Sequence, residues 1–170
     1  MNPVVLLDEI DKLSSGGWSG DPTAALLEVL DPAQNHTFRD HYLEVELDLS
    51  DVVFIATANM LDSIPGPLLD RLEVVRLDGY TTAEKVAIAR DHLLARQLER
   101  AGLRPDEVHV DEATLTTLVE GWTREAGVRS LERELGSLVR KLAARVAEGF
   151  ETPIVVRPDD LTTYLRRPRF

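Results

Sequence analysis

Cysteine is absent from all 170 residues, which excludes a disulfide framework, a thiolate metal site and a cysteine nucleophile, and suits a reducing compartment. No apolar run approaches the length that spans a bilayer. The opening Met1-Asn2-Pro3-Val4 has no basic stretch before Asp8 and Glu9, so it does not read as a secretory signal. With 10 Gly and 9 Pro against 44% apolar residues, the composition is neither disordered nor collagen-like. The expectation is a soluble, cytoplasmic, globular protein with no membrane partner. Basic residues are scarce at one end: residues 1–78 hold four against fifteen acidic ones and carry the whole net charge of −11, whereas residues 79–170 hold fifteen of each. This split places a domain boundary between 78 and 79. It also argues against nucleic acid as the main partner of the first part, because phosphate binding rests on clustered Lys and Arg.

What is present in the first part is strand and loop. Val4-Val5-Leu6-Leu7 and Asp51-Val52-Val53-Phe54-Ile55-Ala56 have no polar alternation along their apolar stretches, as in parallel strands buried on both faces. Glu44-Val45-Glu46-Leu47-Asp48-Leu49 alternates strictly, which predicts a strand with one wet face. Asp21-Pro22 opens a helix through Leu26, Leu27 and Leu30 that Asp31-Pro32 stops. The corner Ile64-Pro65-Gly66-Pro67 precedes a short helical turn at residues 68–72, and Val74-Val75-Arg76-Leu77 reads as a further strand. Strands alternating with helices define an α/β layer. After Gly79 the period becomes helical: Thr81 and Glu84 form a capping box for a helix ending near Ala101-Gly102. Asp111 caps a helix with Leu115, Leu118, Val119 and Trp122 on one stripe, and a third helix spans about residues 128–148. Val108-His109-Val110 and Ile154-Val155-Val156 are candidates for a small β element.

Four aliphatic residues running into Asp8-Glu9 form the pattern of a Walker B strand, with two carboxylates at the carboxyl end of a buried parallel strand, where open α/β sheets bind ligands. Asp8 would hold Mg²⁺ through its water shell, and Glu9 would orient or deprotonate an attacking water. A strand ending in a polar turn has the same local sequence. Asn59, at the tip of the second strand in Thr57-Ala58-Asn59, offers an amide to a γ-phosphate oxygen and to the same water; an ordinary Asn turn is the plainer account. Arg71 follows the stiff Pro65-Gly66-Pro67 corner, which suits an arginine finger, with a surface pair to Asp70 or Glu73 as the simpler alternative. Arg129 opens the third helix, where a cation and free N–H groups favour a phosphate. Trp18 stands in a Gly/Ser loop, either as an apolar grip on polypeptides or folded back as a core plug. The four histidines show no metal-ligand spacing on a shared helix face, and Trp122, at helical spacing, reads as core.

Taken in order, Asn2-Pro3-Val4-Val5-Leu6-Leu7-Asp8-Glu9-Ile10-Asp11-Lys12, Gly20-Asp21-Pro22, Ala25-Leu26-Leu27-Glu28-Val29-Leu30-Asp31-Pro32, His41-Tyr42-Leu43-Glu44-Val45, Pro67-Leu68-Leu69-Asp70-Arg71 and Thr123-Arg124-Glu125-Ala126-Gly127-Val128-Arg129-Ser130-Leu131-Glu132-Arg133 resemble the AAA+ module of the Lon family of ATP-dependent serine proteases. The resemblance covers essentially the whole chain. It implies a partial P-loop-type parallel sheet over residues 1–78 followed by a helical lid over residues 79–170. It also implies ATP and Mg²⁺ as cofactors, unfolded or damaged proteins as substrates and a homo-hexamer as the working assembly. By the same resemblance, Asp8 and Glu9 are the Walker B pair, Asn59 is the sensor-1 residue and Arg71 the finger reaching a neighbouring subunit's nucleotide. Arg129 becomes the sensor-2 arginine, and Trp18 lies in a substrate-gripping pore loop. No Gly-Lys dipeptide occurs, so the phosphate-binding loop, Walker A, is missing. The resemblance puts the absent Walker A strand between the sensor-1 strand and Val74-Val75-Arg76-Leu77, and a protease domain after Phe170. Met1 entering directly on a strand therefore reads as a truncation, and the chain alone is expected to be inactive. The competing class is a non-catalytic module whose helical part binds protein or DNA, with Arg124, Arg129, Arg133, Arg140 and Arg145 as a basic stripe interrupted by Glu132 and Glu134.

Overall fold

A computed structural model describes residues 3–13, 22–40 and 42–170. The chain divides into two compact units, Met1–Arg76 and Leu77–Phe170. Trp18 and Asp21 lie outside the described residues.

In the first unit the order is β1 (Val4–Leu7), α1 (Pro22–Val29), β2 (Phe38–Arg39), β3 (Glu46–Leu47), β4 (Val53–Ala56) and α2 (Gly66–Leu69). β1 and β4 pair in parallel, in register from Val4 opposite Val53 to Leu7 opposite Ala56. Their Leu7 and Ala56 side packs toward a small core of buried Ile10, Ile64 and Leu68, flanked by Leu26, Leu27 and Leu30 of the helix that Pro22 opens. The opposite face is bare: Val4 is 63% and Leu6 62% exposed, with Val53 and Ile55 beside them. The expectation of strands buried on both faces is therefore not met: one face is half-buried and the other exposed. The unbroken apolar runs report a two-sided layer of which one covering side is in place.

Two further strand expectations are corrected. β3 keeps only Glu46 and Leu47, paired antiparallel with Phe38 and Arg39: Glu44 takes a left-handed backbone conformation (φ 54°) before it, and the Asp48 carboxylate accepts from the Ser50 N–H in a turn after it. Residues 73–77 form no strand, and Val75 and Leu77 are exposed. A strand exists only through its ladder, and apolar composition alone supplies no partner.

The second unit comprises α3 (Thr82–Ile88), α4 (Leu94–Arg100), β5 (Val108–Val110), α5 (Glu112–Trp122), α6 (Arg129–Ala147), β6 (Ile154–Val156) and α7 (Leu161–Leu165). The Thr81 hydroxyl accepts from the Glu84 N–H (3.3 Å) while the Glu84 carboxylate accepts from the Thr81 N–H (2.8 Å), closing the capping box. A π-helical turn at Ala89–Leu93 joins α3 to α4. α4 stops in a Schellman motif: Gly102 at φ 72° donates to Glu99, and Leu103 donates to Leu98. Asp111 caps α5 by accepting from the Thr114 N–H at 2.7 Å. α6 presents Leu131, Leu135, Leu138 and Leu142, all fully buried, to a closed core shared with Leu115, Leu118 and Leu161. Trp122 is buried in that core and donates its indole N–H to the Leu165 carbonyl. β5 and β6 form the small β element read from the sequence, and its strands are parallel; the buried Thr114 hydroxyl donates to the Val156 carbonyl at 3.0 Å. No helix among the described residues is long and apolar enough to cross a membrane.

Two outcomes follow for the helical unit. Leu138→Ala should cost it about 2–5 kcal/mol, read by urea unfolding, since the site is sealed and cannot collapse without leaving a cavity. Hydrogen bonds from Thr114 hold Asp111 below its ordinary pKa of 3.8, and those from Thr81 hold Glu84 below 4.5. With folded pKa values below the unfolded ones, the stabilisation is full above about pH 5 and is lost as pH falls through the folded values. The urea midpoint should accordingly drop between pH 5 and pH 3, and less so in an Asp111→Asn variant.

Candidate functional site

The site grows from the end of the β1–β4 ladder. Beyond Leu7 and Ala56 the pairing continues one step: the Thr57 N–H donates to the Leu7 carbonyl (2.9 Å) and the Ile10 N–H to the Thr57 carbonyl (2.9 Å). This brings Asp8, Glu9 and Thr57 to one rim. The Thr57 hydroxyl donates to the Asp8 carboxylate and accepts from the Glu9 N–H at 3.0 Å. One small side chain thus orients one acid and fixes the backbone of the next. The sequence shows Asp8 and Glu9 as a pair but does not single out Thr57, because a threonine at a strand end signals only β-propensity until the partner strand is known.

Glu9 is left-handed (φ 55°, ψ 47°), an uncommon conformation for a residue with a Cβ, and cluster positions of this kind are frequent at functional sites. The bend turns the chain away from the strand, so that Ile10 enters the core while the Glu9 carboxylate stays half exposed. There it pairs with Lys12 at 2.6 Å, and that hydrogen bond raises the Lys12 pKa above its ordinary value. Asn59 is exposed two residues past Thr57, on the same strand tip. Thr57 and Ala58 also line a cleft of about 480 Å³ in this unit, together with Arg71.

Arg71 is not paired with Asp70 or Glu73, the partners the local sequence offered. Its guanidinium donates from Nη1 to the Pro67 carbonyl (2.8 Å) and from Nη2 to Asp31 (3.2 Å). The Ala33 N–H first, then Arg71, hold the Asp31 carboxyl below the usual carboxylate range.

Arg129 belongs to the second unit. The N–H groups expected to be free beside it are taken: the Glu125 carboxylate accepts from Ser130 (2.9 Å) and Leu131 (2.9 Å), which caps α6. This corrects the picture of an open anion site at that helix end, since a carboxylate four residues upstream reaches back and fills it. The Arg129 guanidinium borders a shallow groove with Arg100, Arg133 and Arg140. The basic stripe is shorter than the sequence reading had it. Arg145 lies over the Phe150 and Tyr164 rings, and Arg124 over Phe170. Glu132 draws Arg96 (2.9 Å) and Arg100 (3.2 Å) into ion pairs. No group of three or more His, Asp or Glu able to hold a metal ion occurs among the described residues.

An acid pair at the tip of parallel strands, with a separate helical unit following, is the arrangement of a partial AAA+ fold with its helical lid. Comparison with known proteins gives the same class from sequence. Residues 1–80 match the family of ATPases associated with various cellular activities, and residues 99–154 match the Lon protease AAA+ ATPase lid domain. The chain is 65% identical to a Lon protease of Frankia alni, over 99% of this chain and 19% of that protein. It is 64% identical to one of Salinispora arenicola and 59% identical to one of Mycolicibacterium smegmatis, each over 100% of this chain and 22% of the relative. The chain belongs to the Lon protease family and spans about a fifth of the length of these curated relatives.

Thr57→Val keeps the shape and removes the hydroxyl that ties the rim. It should cost the first unit about 1 kcal/mol in chemical unfolding, the net worth of an ordinary hydrogen bond, and Thr57→Ser should restore most of it.

Proposed function

We propose that this chain is the ATP-hydrolysing portion of a Lon-type protease. Residues 1–78 would form the later part of the nucleotide-binding α/β subdomain and residues 79–170 the lid. In the intact homo-hexamer, hydrolysis shifts lid against sheet and drives unfolded or damaged protein substrates toward proteolysis in the cytoplasm. The observation that carries the reading is the rim where Thr57 ties Asp8 to Glu9, in a chain 65% identical to a Lon protease.

The rim fits Mg²⁺·ATP by the chemistry of its donors. Asp8 presents a hard carboxylate, already oriented, to a cation that keeps most of its water shell. When bound, Mg²⁺·ATP supplies the phosphoryl group to be transferred and the charge that offsets its oxygens. Glu9 orients and deprotonates the attacking water, for which its carboxylate must leave Lys12. Asn59 holds that water by its amide without any change of charge. Arg71 donates to the phosphoryl oxygens of a neighbouring subunit's nucleotide, and Arg129 contacts phosphate from the lid. Trp18 grips the polypeptide through apolar area, which suits substrates of unrelated sequence.

In a full-length Lon-family protein carrying this segment, Glu9→Gln should leave ATP affinity within about twofold by calorimetry while phosphate release falls about 100-fold or more. Unchanged turnover would remove Glu9 from the role of base. The 170-residue chain by itself has no Gly-Lys phosphate loop and should bind ATP weakly and hydrolyse it negligibly.

A further inference from the structure

The contacts of Arg71 carry more than the family assignment does. Asp31 follows α1 in Leu30-Asp31-Pro32, and its carboxylate is built into place before it meets the arginine. Oδ1 accepts from the Ala33 N–H (3.0 Å), Oδ2 accepts from the Gln34 side-chain amide (3.1 Å), and the Asp31 carbonyl accepts from the Gln34 and Asn35 N–H groups. Arg71 approaches this fixed acceptor from the end of α2, forty positions later in the chain. Its Nη1 folds back on the Pro67 carbonyl while Nη2 takes the Asp31 oxygen. The ion pair is partly shielded, with 31% of the Arg71 and 18% of the Asp31 side chain exposed.

A guanidinium held at two nitrogens has its plane fixed, and three of its five N–H donors carry no bond among the described residues. We propose that Asp31 is a positioning residue for Arg71, aiming the guanidinium so that its remaining donors meet the phosphoryl oxygens of the next subunit's nucleotide. This rests on the reading of Arg71 as the finger. An arginine side chain held in place no longer gives up its own rotamer freedom on engagement. A carboxylate beside a finger also dilutes its charge, so the arrangement makes sense when placement matters more than the field. Displacement of about 1 Å at a reacting centre costs on the order of 100-fold in rate.

The test uses a full-length Lon-family protein carrying this segment, with phosphate release as the assay. Arg71→Ala should lower kcat about 10³-fold or more. Asp31→Asn, which can keep the Ala33 bond and so the local turn, should lower kcat about 10- to 100-fold with KM for ATP within about twofold, because a subunit's own nucleotide is not the one its finger serves. Asp31→Glu should recover part of the loss, and Asp31→Asn combined with Arg71→Ala should be no slower than Arg71→Ala alone. Mixed assemblies separate aim from local damage. A Glu9→Gln subunit has a silent site but an intact finger, so mixing it with Asp31→Asn subunits should restore turnover above either parent, as should mixing it with Arg71→Ala subunits. If the Arg71 mixture is restored and the Asp31 mixture is not, or if Asp31→Asn keeps or raises the parental kcat, Asp31 is not a positioning residue. If the Arg71 mixture also stays silent, the assignment of Arg71 as a trans-acting finger falls, and this proposal falls with it.

Discussion

The in-register parallel pairing of Leu7 with Ala56 is the constraint on which the site depends. Shifting either strand by one residue would send Asp8 and Thr57 to opposite faces, because side chains alternate along a strand. In the observed register the Thr57 hydroxyl falls between the Asp8 carboxylate and the Glu9 N–H and satisfies both. The left-handed bend at Glu9 then sends two adjacent acids into different surroundings. Asp8 is held by the neighbouring strand, whereas Glu9 is half exposed and, among the described residues, pairs with Lys12. Under the proposed function this suits both: an acid that binds a cation gains from being fixed, and one that handles a proton has to move.

What the sequence made legible shares one physical feature: the interaction lies within a few residues or on one periodic face. The Thr81–Glu84 box, the Asp111 cap, the Gly102 stop and the leucine stripe of α6 are local, and the structure contains them all. So is the juxtaposition of an apolar run with Asp8-Glu9. What stayed hidden depends on partners far along the chain. The role of Thr57 needs a residue 49 positions away, and Asp31 meets Arg71 across 40. The Glu125 cap on α6 is local in distance but not in pattern, since the acid sits before the helix rather than at its first residue. Val74-Val75-Arg76-Leu77 failed as a strand for the converse reason: it has the composition of one and no ladder to join.

Charge gives a second line of argument. With only Lys12, Arg39, Arg71 and Arg76 among residues 1–78, positive charge in the first unit is scarce. Two of those four are spent on acids, Lys12 on Glu9 and Arg71 on Asp31. Such a surface repels a polyphosphate rather than collecting it. Under the proposed function, the cations that neutralise the nucleotide therefore have to come from outside this segment's rim: Mg²⁺ on Asp8, the finger of another subunit, Arg129 of the lid. Two of these, the finger and Arg129, are conditional on assembly or on the lid, which under that reading ties catalysis to the state of the ring as well as to the single subunit.

The two units also differ in how they hold themselves together. The helical unit closes its own core around α6, and its buried polar groups are paired inside it, as with Glu134 to Arg169 (3.2 Å) and Thr114 to Val156. The first unit leaves Val4, Leu6, Val53 and Ile55 in water on one face of its strand pair. At roughly 25 cal/mol per Å² of apolar surface, a face of four such side chains forgoes several kcal/mol of burial. Backbone ladder bonds and the Thr57 hydroxyl therefore hold its geometry beside a core on one side of the strands. The rim consequently follows the sheet: anything that strains the β1–β4 ladder acts on Asp8 and Glu9 through the pairing of Leu7 with Ala56, with a core on one side of the strands only.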